Sequence, residues 1–404
     1  MKTLSLVMIV RNEEKVIERC LNSVKKYIDY WVIVDTGSTD NTPEIIIKTL
    51  EGIPGELHRE PWVNFGYNRT QSLEFAKGKA DYLLLCDADE QLIFSETFDS
   101  DDLIEDAYLL SYVGSLDYAV PYLISNKHDW KYVGVTHEYL ESIDRTDLPV
   151  KYDKIAILDF KDGGFKQDKF ERDIQLLEEG LEEEPDNSRY KFYLANSYRD
   201  INNPQKAIEW YQKVIDDNGW IEEVTCAYEN MGYCYEKLGE QDRAISIWLS
   251  GYEYNTNRME CLYNAVRLFR VQNKPHLAYY LGMLAKSIPY PDQDILFVKR
   301  DYYIIEIFYE LSISSYYSGD LETGYQSCKK VLSSDISQTY FESTIRNLYY
   351  YRERISSDSL DDVLMLFNFV VHYLQKYPED KEVNDLKNDF LSLLVRQTGK
   401  EKLD

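Results

Sequence analysis

The sequence is poor in the residues that make tight turns, covalent staples and anion-binding surfaces. It has 11 Pro and 18 Gly in 404 residues, too few for a turn-rich all-β fold. Its six cysteines (Cys20, Cys86, Cys226, Cys234, Cys261 and Cys328) form no CxxC pair, and its five histidines show no zinc spacing. Neither a disulfide scaffold nor a structural zinc is therefore expected, and reduced thiols in a cytoplasmic setting are the plain reading. Lys and Arg number 45 against 71 Asp and Glu, a formal net charge of −26. Such a chain repels a phosphate backbone and an anionic membrane surface, so nucleic acid and membrane are excluded as default partners. No apolar run reaches the roughly 18 residues that a membrane-spanning helix needs. The apolar start of MKTLSLVMIVRNEEK runs directly into charges, unlike a signal peptide, and reads as a buried strand. Asn68-Arg69-Thr70 fits a glycosylation sequon without any other sign of secretion.

What is present is apolar mass and tyrosine. Apolar residues make up 44% of the chain and tyrosines number 36, which points to helices packed through aromatic side chains. At about 150 residues per domain the length allows two or three domains. The first half alternates strand and helix. Leu4 to Val10, Trp31 to Val34, Glu56 to Arg59 and Asp81 to Cys86 read as strands. Glu13 to Tyr27, Glu44 to Leu50 and Tyr67 to Ala76 read as helices, with Thr42 as N-cap and Pro43 at the first helical position of the second. This alternation implies a mostly parallel sheet covered by helices. YLLSYVG, YAVPYLIS, KYVGV and KIAILDF then read as shorter strands.

The second half repeats a pattern of small residue and aromatic. Leu194-Ala195-x-x-Tyr198 is followed nine residues on by Ala207, Met231-Gly232-x-x-Tyr235 by Ala244, and Ala265-Val266-x-x-Phe269 by Ala278. Leu311-Ser312-x-x-Ser315 with Gly324 is a degraded fourth copy. The pattern resembles the tetratricopeptide repeat, although the steps are 37, 34 and 46 residues. In the tail, Val363, Leu366, Phe367 and Val370 share one helical face, as a capping element would. The expected organisation is an α/β domain over 1–185, helical repeats over 186–335 and a helical cap over 336–404.

Two acidic strand ends carry the chemistry. Asp87-Ala88-Asp89 follows the buried run Tyr82 to Cys86. Two carboxylates one residue apart at the carboxyl end of a strand can reach one hard cation, and ligands of open α/β sheets bind outside that end. A solvated acidic turn is the bland alternative. Asp35 ends the second strand and opens GSTD; it can accept from a base or ribose, or simply cap the turn.

Taken in order and spacing, SLVMIVRNEE, IVDTGSTDNT, LLLCDADE, FGYNRTQSLEFAKG, YVGVTHEYL and DGGFKQDKFERD resemble the family 2 inverting glycosyltransferases of GT-A fold, with a Rossmann-like mixed sheet. With the repeats they resemble the subgroup to which the S-glycosyltransferases of bacterial glycocins belong. The resemblance implies that Val10, Arg11 and Glu13 border the nucleotide and that Asp35 holds its base or ribose. It implies that Arg69 contacts the donor, that Asp87 lies near the ribose or metal, and that Asp89 ligates Mn²⁺ or Mg²⁺. In the pair His137-Glu138, Glu138 is the candidate general base and His137 orients it or touches the sugar. Where relatives often carry a metal-ligating histidine before the Gly-Gly, this sequence has Asp159. Lys166, Lys169 and Arg172 would close over the diphosphate.

The implied activity is metal-dependent transfer from a nucleoside diphosphate sugar, with UDP-sugar as the family's usual donor, to a protein, peptide or glycan acceptor. The repeats would hold that acceptor or make a homodimer. A haloacid-dehalogenase phosphatase also uses a strand-end DxD, but it wants Thr or Val where Gln91 stands. The competing reading is a non-catalytic repeat scaffold with a degenerate transferase domain.

Overall fold

The structure is a computed structural model describing residues 1–113, 119–142, 144, 148–163 and 169–398. It comprises two compact units, Met1–Asn203 and Pro204–Asp404.

The first unit is built on strands β1 (Leu4–Val10), β2 (Tyr30–Asp35), β3 (Gly55–Arg59), β4 (Tyr82–Leu85), β5 (Glu90–Phe94), β6 (Ala107–Tyr112) and β7 (Ala119–Ser125). A hairpin of β8 (Trp130–Val133) and β9 (Tyr139–Ser142) follows, then β10 (Val150–Asp159). Helices α1 (Ile17–Val24), α2 (Thr42–Thr49) and α3 (Phe65–Ala76) lie between the early strands, and α4 (Lys169–Glu183) and α5 (Ser188–Asp200) close the unit. Eight strands form one mixed sheet in the order β3-β2-β1-β4-β7-β6-β10-β5. β3, β2, β1 and β4 run parallel, whereas β7 is antiparallel to both β4 and β6. The α/β architecture read from the strand-helix alternation is therefore present, and the mixed half comes from the shorter strands.

Of the parallel strands, β1, β2 and β4 are apolar and buried at nearly every position, as strands covered on both faces are, whereas β3 at the edge reads GELHR and is only partly buried. Leu6, Ile33 and Leu84 are fully buried in one core cluster, and each such side chain contributes roughly 1.5–3 kcal/mol. α1 buries Ile17, Cys20, Leu21 and Val24 at helical spacing but is shorter than the expected Glu13 to Tyr27. The preceding residues are engaged elsewhere. Asn12 has a left-handed backbone (φ +58°), and the Glu13 N–H donates to Thr42 Oγ1 at 2.7 Å. Thr42 is consequently not an N-cap. It is the first residue of α2 and fully buried, and its hydroxyl donates to Asp40 Oδ1 at 2.6 Å.

The second unit is all-helical: α6 (Pro204–Asp217), α7 (Ile221–Lys237), α8 (Gln241–Tyr254), α9 (Glu260–Val271), α10 (Pro275–Lys286), α11 (Ile307–Tyr317), α12 (Leu321–Leu332), α13 (Gln338–Tyr349), α14 (Leu360–Lys376) and α15 (Lys381–Thr398). Successive helices joined by short loops pack as hairpins, the geometry of tetratricopeptide-like arrays. The small residues sit where helices touch. A Cβ on Gly232 of α7 would lie 2.1 Å from Nε1 of Trp248 on α8, and that indole N–H donates to the Glu229 carbonyl at 2.9 Å. Ala207, Ala244, Ala265 and Ala278 are all fully buried. At the end, Val363, Leu366 and Val370 of α14 pack with Leu386 and Phe390 of α15, while Phe367 is half-buried.

The 46-residue step has a structural cause. Between α10 and α11 the chain crosses α7 and α9 as a strap. Glu222 Oε2 accepts the N–H groups of Ile295 and Leu296 at 2.9 and 2.7 Å. The buried Arg258, paired with Glu260 at 2.9 Å, reaches Asp294 at 3.2 Å and the Leu296 carbonyl. Lys299 Nζ lies 2.6 Å from Glu229 Oε1. Glu222→Ala strands two amide donors and should cost about 1–3 kcal/mol, read as a lower urea midpoint at unchanged slope.

Candidate active site

β1, β2 and β4 end on the same edge of the sheet. Val7 lies beside Leu85 and Val10 beside Asp35 in the parallel register. The residues that follow each strand therefore meet there. Val10 is buried and accepts at its carbonyl from Thr36 N–H and Oγ1, at 3.0 and 3.2 Å. Asp35 is buried at the end of β2. Its Oδ1 accepts from Gly37 and Ser38 N–H at 3.1 and 2.8 Å, so it caps the GSTD turn as the plainer reading supposed. Asn12 stitches the loop of Arg11 and Glu13 to that turn, donating from its N–H to Ser38 Oγ at 2.9 Å and accepting from Thr39 N–H at 2.8 Å.

Asp87, Ala88 and Asp89 form the turn from β4 to β5. Asp87 Oδ1 accepts from Arg69 Nη2 at 2.6 Å, and on the same guanidinium Nε lies 2.7 Å from Glu138 Oε1. Arg69, on α3, thus bridges the acidic turn and the His137-Glu138 pair. Its side chain is 12% exposed, as is that of Glu138. Burial alone would weaken the Arg69 charge, but Asp87 and then Glu138 outweigh it and hold the guanidinium firmly protonated. The Tyr132 ring lies 5.6 Å below it. Glu90 stands behind the turn, accepting from Asp87 N–H at 2.9 Å and Tyr112 OH at 2.8 Å. Burial, followed by the Asp87 charge, pushes its carboxyl up to about 7.

Asp89 Oδ2 accepts from Gly163 N–H at 3.2 Å, and its carbonyl accepts from Arg19 Nη2 at the same distance. Arg19 also pairs with Asp162 at 2.6 Å and lies 3.8 Å over the Phe160 ring, clamping the segment after β10 against the turn. Asp159 faces Glu90 in the β10–β5 ladder and accepts from Lys161 N–H at 2.7 Å. Among the described residues no three His, Cys, Asp or Glu side chains converge to hold a metal by themselves. Asp87 and Asp89 are hard oxygen donors, the type that suits Mg²⁺ or Mn²⁺. Lys166 lies outside the described residues.

His137 adopts a left-handed backbone, φ +50°. Its ring stacks on Tyr193 at 4.1 Å and 10°, and Nε2 is 3.9 Å from Asp173 Oδ2, beyond hydrogen-bond distance. Burial, then Lys169 and Arg189, pushes the imidazole down to about 4, so it is neutral at neutral pH. Burial pushes the Asp173 carboxyl up. Arg172 lies 3.6 Å from Asp173 and 5.0 Å over the Phe65 ring. Burial lowers its basicity, and Arg11 is near enough to repel it.

The sequence reading thus placed Arg69, Asp87, Glu138 and His137 in what is one cluster, with Val10 and Asp35 at the adjoining strand ends. Glu90 is the last residue of the DADE motif, whereas nothing in the sequence singles out Arg19, Asp173, Arg189 or Tyr193. Arg19 has no local signal, since its partners lie 70 and 143 positions away.

Comparison with known proteins bears on this edge. Residues 5–96 match the model for glycosyl transferase family 2. The chain is 27% identical over 235 residues to the SPbeta prophage-derived glycosyltransferase SunS of Bacillus subtilis, covering 53% of this chain and 54% of that protein. A TPR repeat-containing protein of Synechococcus elongatus is 41% identical over 93 residues, 23% of this chain and 22% of its own. An uncharacterized glycosyltransferase of Rickettsia typhi is 39% identical over 92 residues, 23% of this chain and 30% of its own. The chain spans about half the length of SunS and less of the others. The segment that carries the strand-end aspartates is a family 2 glycosyl transferase domain, joined in this chain to an array of tetratricopeptide-like helices.

Proposed function

We propose that the protein is an inverting glycosyltransferase that moves a sugar from a nucleoside diphosphate sugar, in the first instance a UDP-sugar, to a protein, peptide or glycan acceptor. The observation that carries this reading is the Asp87–Arg69–Glu138 bridge. It brings the acidic turn at the end of β4, which lies in the segment matching family 2, and the carboxylate of the His-Glu pair onto one guanidinium.

In this reading Asp35 and the loop at Arg11 receive the nucleoside, and Arg11 with Arg172 faces the diphosphate. Asp87 and Asp89 would hold Mn²⁺ or Mg²⁺, which supplies positive charge against the leaving diphosphate. Glu138 takes the acceptor's proton as the acceptor atom attacks the anomeric carbon, and the bond from that carbon to the diphosphate oxygen breaks with its electron pair on the diphosphate. His137, neutral at neutral pH, packs beside the base without competing for its charge. No helix among the described residues is long and apolar enough to cross a membrane.

The test is thermal stabilisation by nucleoside diphosphates, with and without Mn²⁺, followed by hydrolysis of a panel of nucleotide sugars. The expected result is a raised melting midpoint that needs both nucleotide and cation, with slow release of free sugar from one donor. A full-length protein that neither binds nor hydrolyses any of them would be a scaffold.

A further inference from the structure

The loop Gly134–Glu138 is gripped from three sides. On α3, Phe65 N–H donates to the Val135 carbonyl at 3.0 Å, and a Cβ on Gly66 would stand 2.1 Å from the Gly134 carbonyl oxygen. On α4, Thr136 Oγ1 donates to Asp173 at 3.4 Å, and Gly180 packs under Val135. On α5, Arg189 donates from Nη2 and Nε to the His137 carbonyl at 2.9 and 3.3 Å. The same guanidinium lies 4.8 Å over the Tyr193 ring and 5.2 Å over Tyr139, and Tyr193 stacks on the His137 ring.

The α5 contacts differ from the others in where they act. α3 and α4 already anchor Val135 and Thr136. Arg189 and Tyr193 act on His137, a side-chain-bearing residue held at positive φ, a conformation that persists only where its surroundings enforce it. The next residue is Glu138. A His137 backbone that relaxed to the ordinary region would turn the Glu138 carboxylate away from Arg69.

We propose that Arg189 and Tyr193 are positioning residues for glycosyl transfer, holding His137 in its left-handed conformation so that Glu138 is aimed at the reacting edge of the sheet. The inference rests on the transferase reading above and makes α5 part of the active site, although its sequence reads as the head of the repeat array.

The test uses the full-length chain and the nucleotide sugar that the wild type turns over fastest. Arg189→Ala should lower kcat about 100-fold, the loss expected of a reacting group misplaced by about an ångström. Donor KM and the stabilisation by nucleoside diphosphate should stay within about twofold. Tyr193→Ala should lose kcat in the same way, with Tyr193→Phe, which keeps the stacked ring, recovering most of it. Should Arg189→Ala fold poorly, Arg189→Lys keeps the charge and one donor to the carbonyl and should give an intermediate kcat at unchanged donor KM. Wild-type kcat in Arg189→Ala overturns the proposal, as does a loss shared equally between kcat and donor binding. A crystal structure of Arg189→Ala provides a readout besides activity, and His137 unmoved at positive φ there overturns the proposal too. A wild-type protein that turns over no donor refutes the transferase reading instead.

Discussion

Asp89→Ala should reduce sugar transfer by at least about 1,000-fold, or roughly 4 kcal/mol of transition-state stabilisation, when initial rates are compared at saturating donor and cation. Asp89 lies in the turn just past β4, on the edge where β1, β2 and β4 all end. In the transfer proposed above the leaving diphosphate gains negative charge, which a divalent cation held by the Asp89 carboxylate would offset. Asp89 also fastens the following segment, since its Oδ2 accepts the Gly163 N–H. Asp89→Asn separates the two roles, because an amide oxygen can still take that hydrogen bond but is a poor cation ligand. Loss in Ala and Asn alike identifies the charge as the active feature. Activity restored by Asn would identify the Gly163 link, and with it a role in loop placement.

The residues that were legible in the sequence are those whose surroundings are local. Leu4 to Val10 reads as a buried strand because all of its residues but Ser5 are apolar. Gly232 reads as a helix contact because a small residue recurs at repeat spacing, and the side chain that lies against it is Trp248, which is outside the repeated pattern. Local spacing fails where a long-range contact outweighs it. Glu13 and Glu14 look like a helix start, but Thr42 and Asp40 on the next strand-helix connection take their N–H groups, and α1 begins only at Ile17. The strap is hidden for a similar reason, as its backbone is satisfied by Glu222, more than 70 residues earlier. In the site, the types of Asp87, Arg69 and Glu138 were readable, but their union is not. Arg69 on α3 meets one partner in the turn after β4 and the other in the loop between β8 and β9. Backbone handedness at His137 and its stack on Tyr193 leave no trace in composition or period, which is why α5 reads as a repeat helix and not as part of the first unit.

Arg69→Met should damage stability and turnover together, and a second substitution can pull the two apart. Methionine fills much of the arginine's volume but removes the charge between Asp87 and Glu138, leaving a carboxylate that is 12% exposed without its cation. Breaking a buried pair in this way costs about 3–5 kcal/mol. The lower end applies, because the Asp87 side chain is 35% exposed and water takes up part of its charge. The expected result is a drop of several degrees in melting midpoint with more than about 100-fold loss of kcat, since Glu138 must either take up a proton or leave its position. Adding Glu138→Gln relieves the stranded charge. The double variant should regain much of the stability while remaining inactive, a coupling that a double-mutant cycle reads directly. Recovery of turnover along with stability would show that Glu138 is not the base, and that Arg69 serves only to neutralise the carboxylates around it.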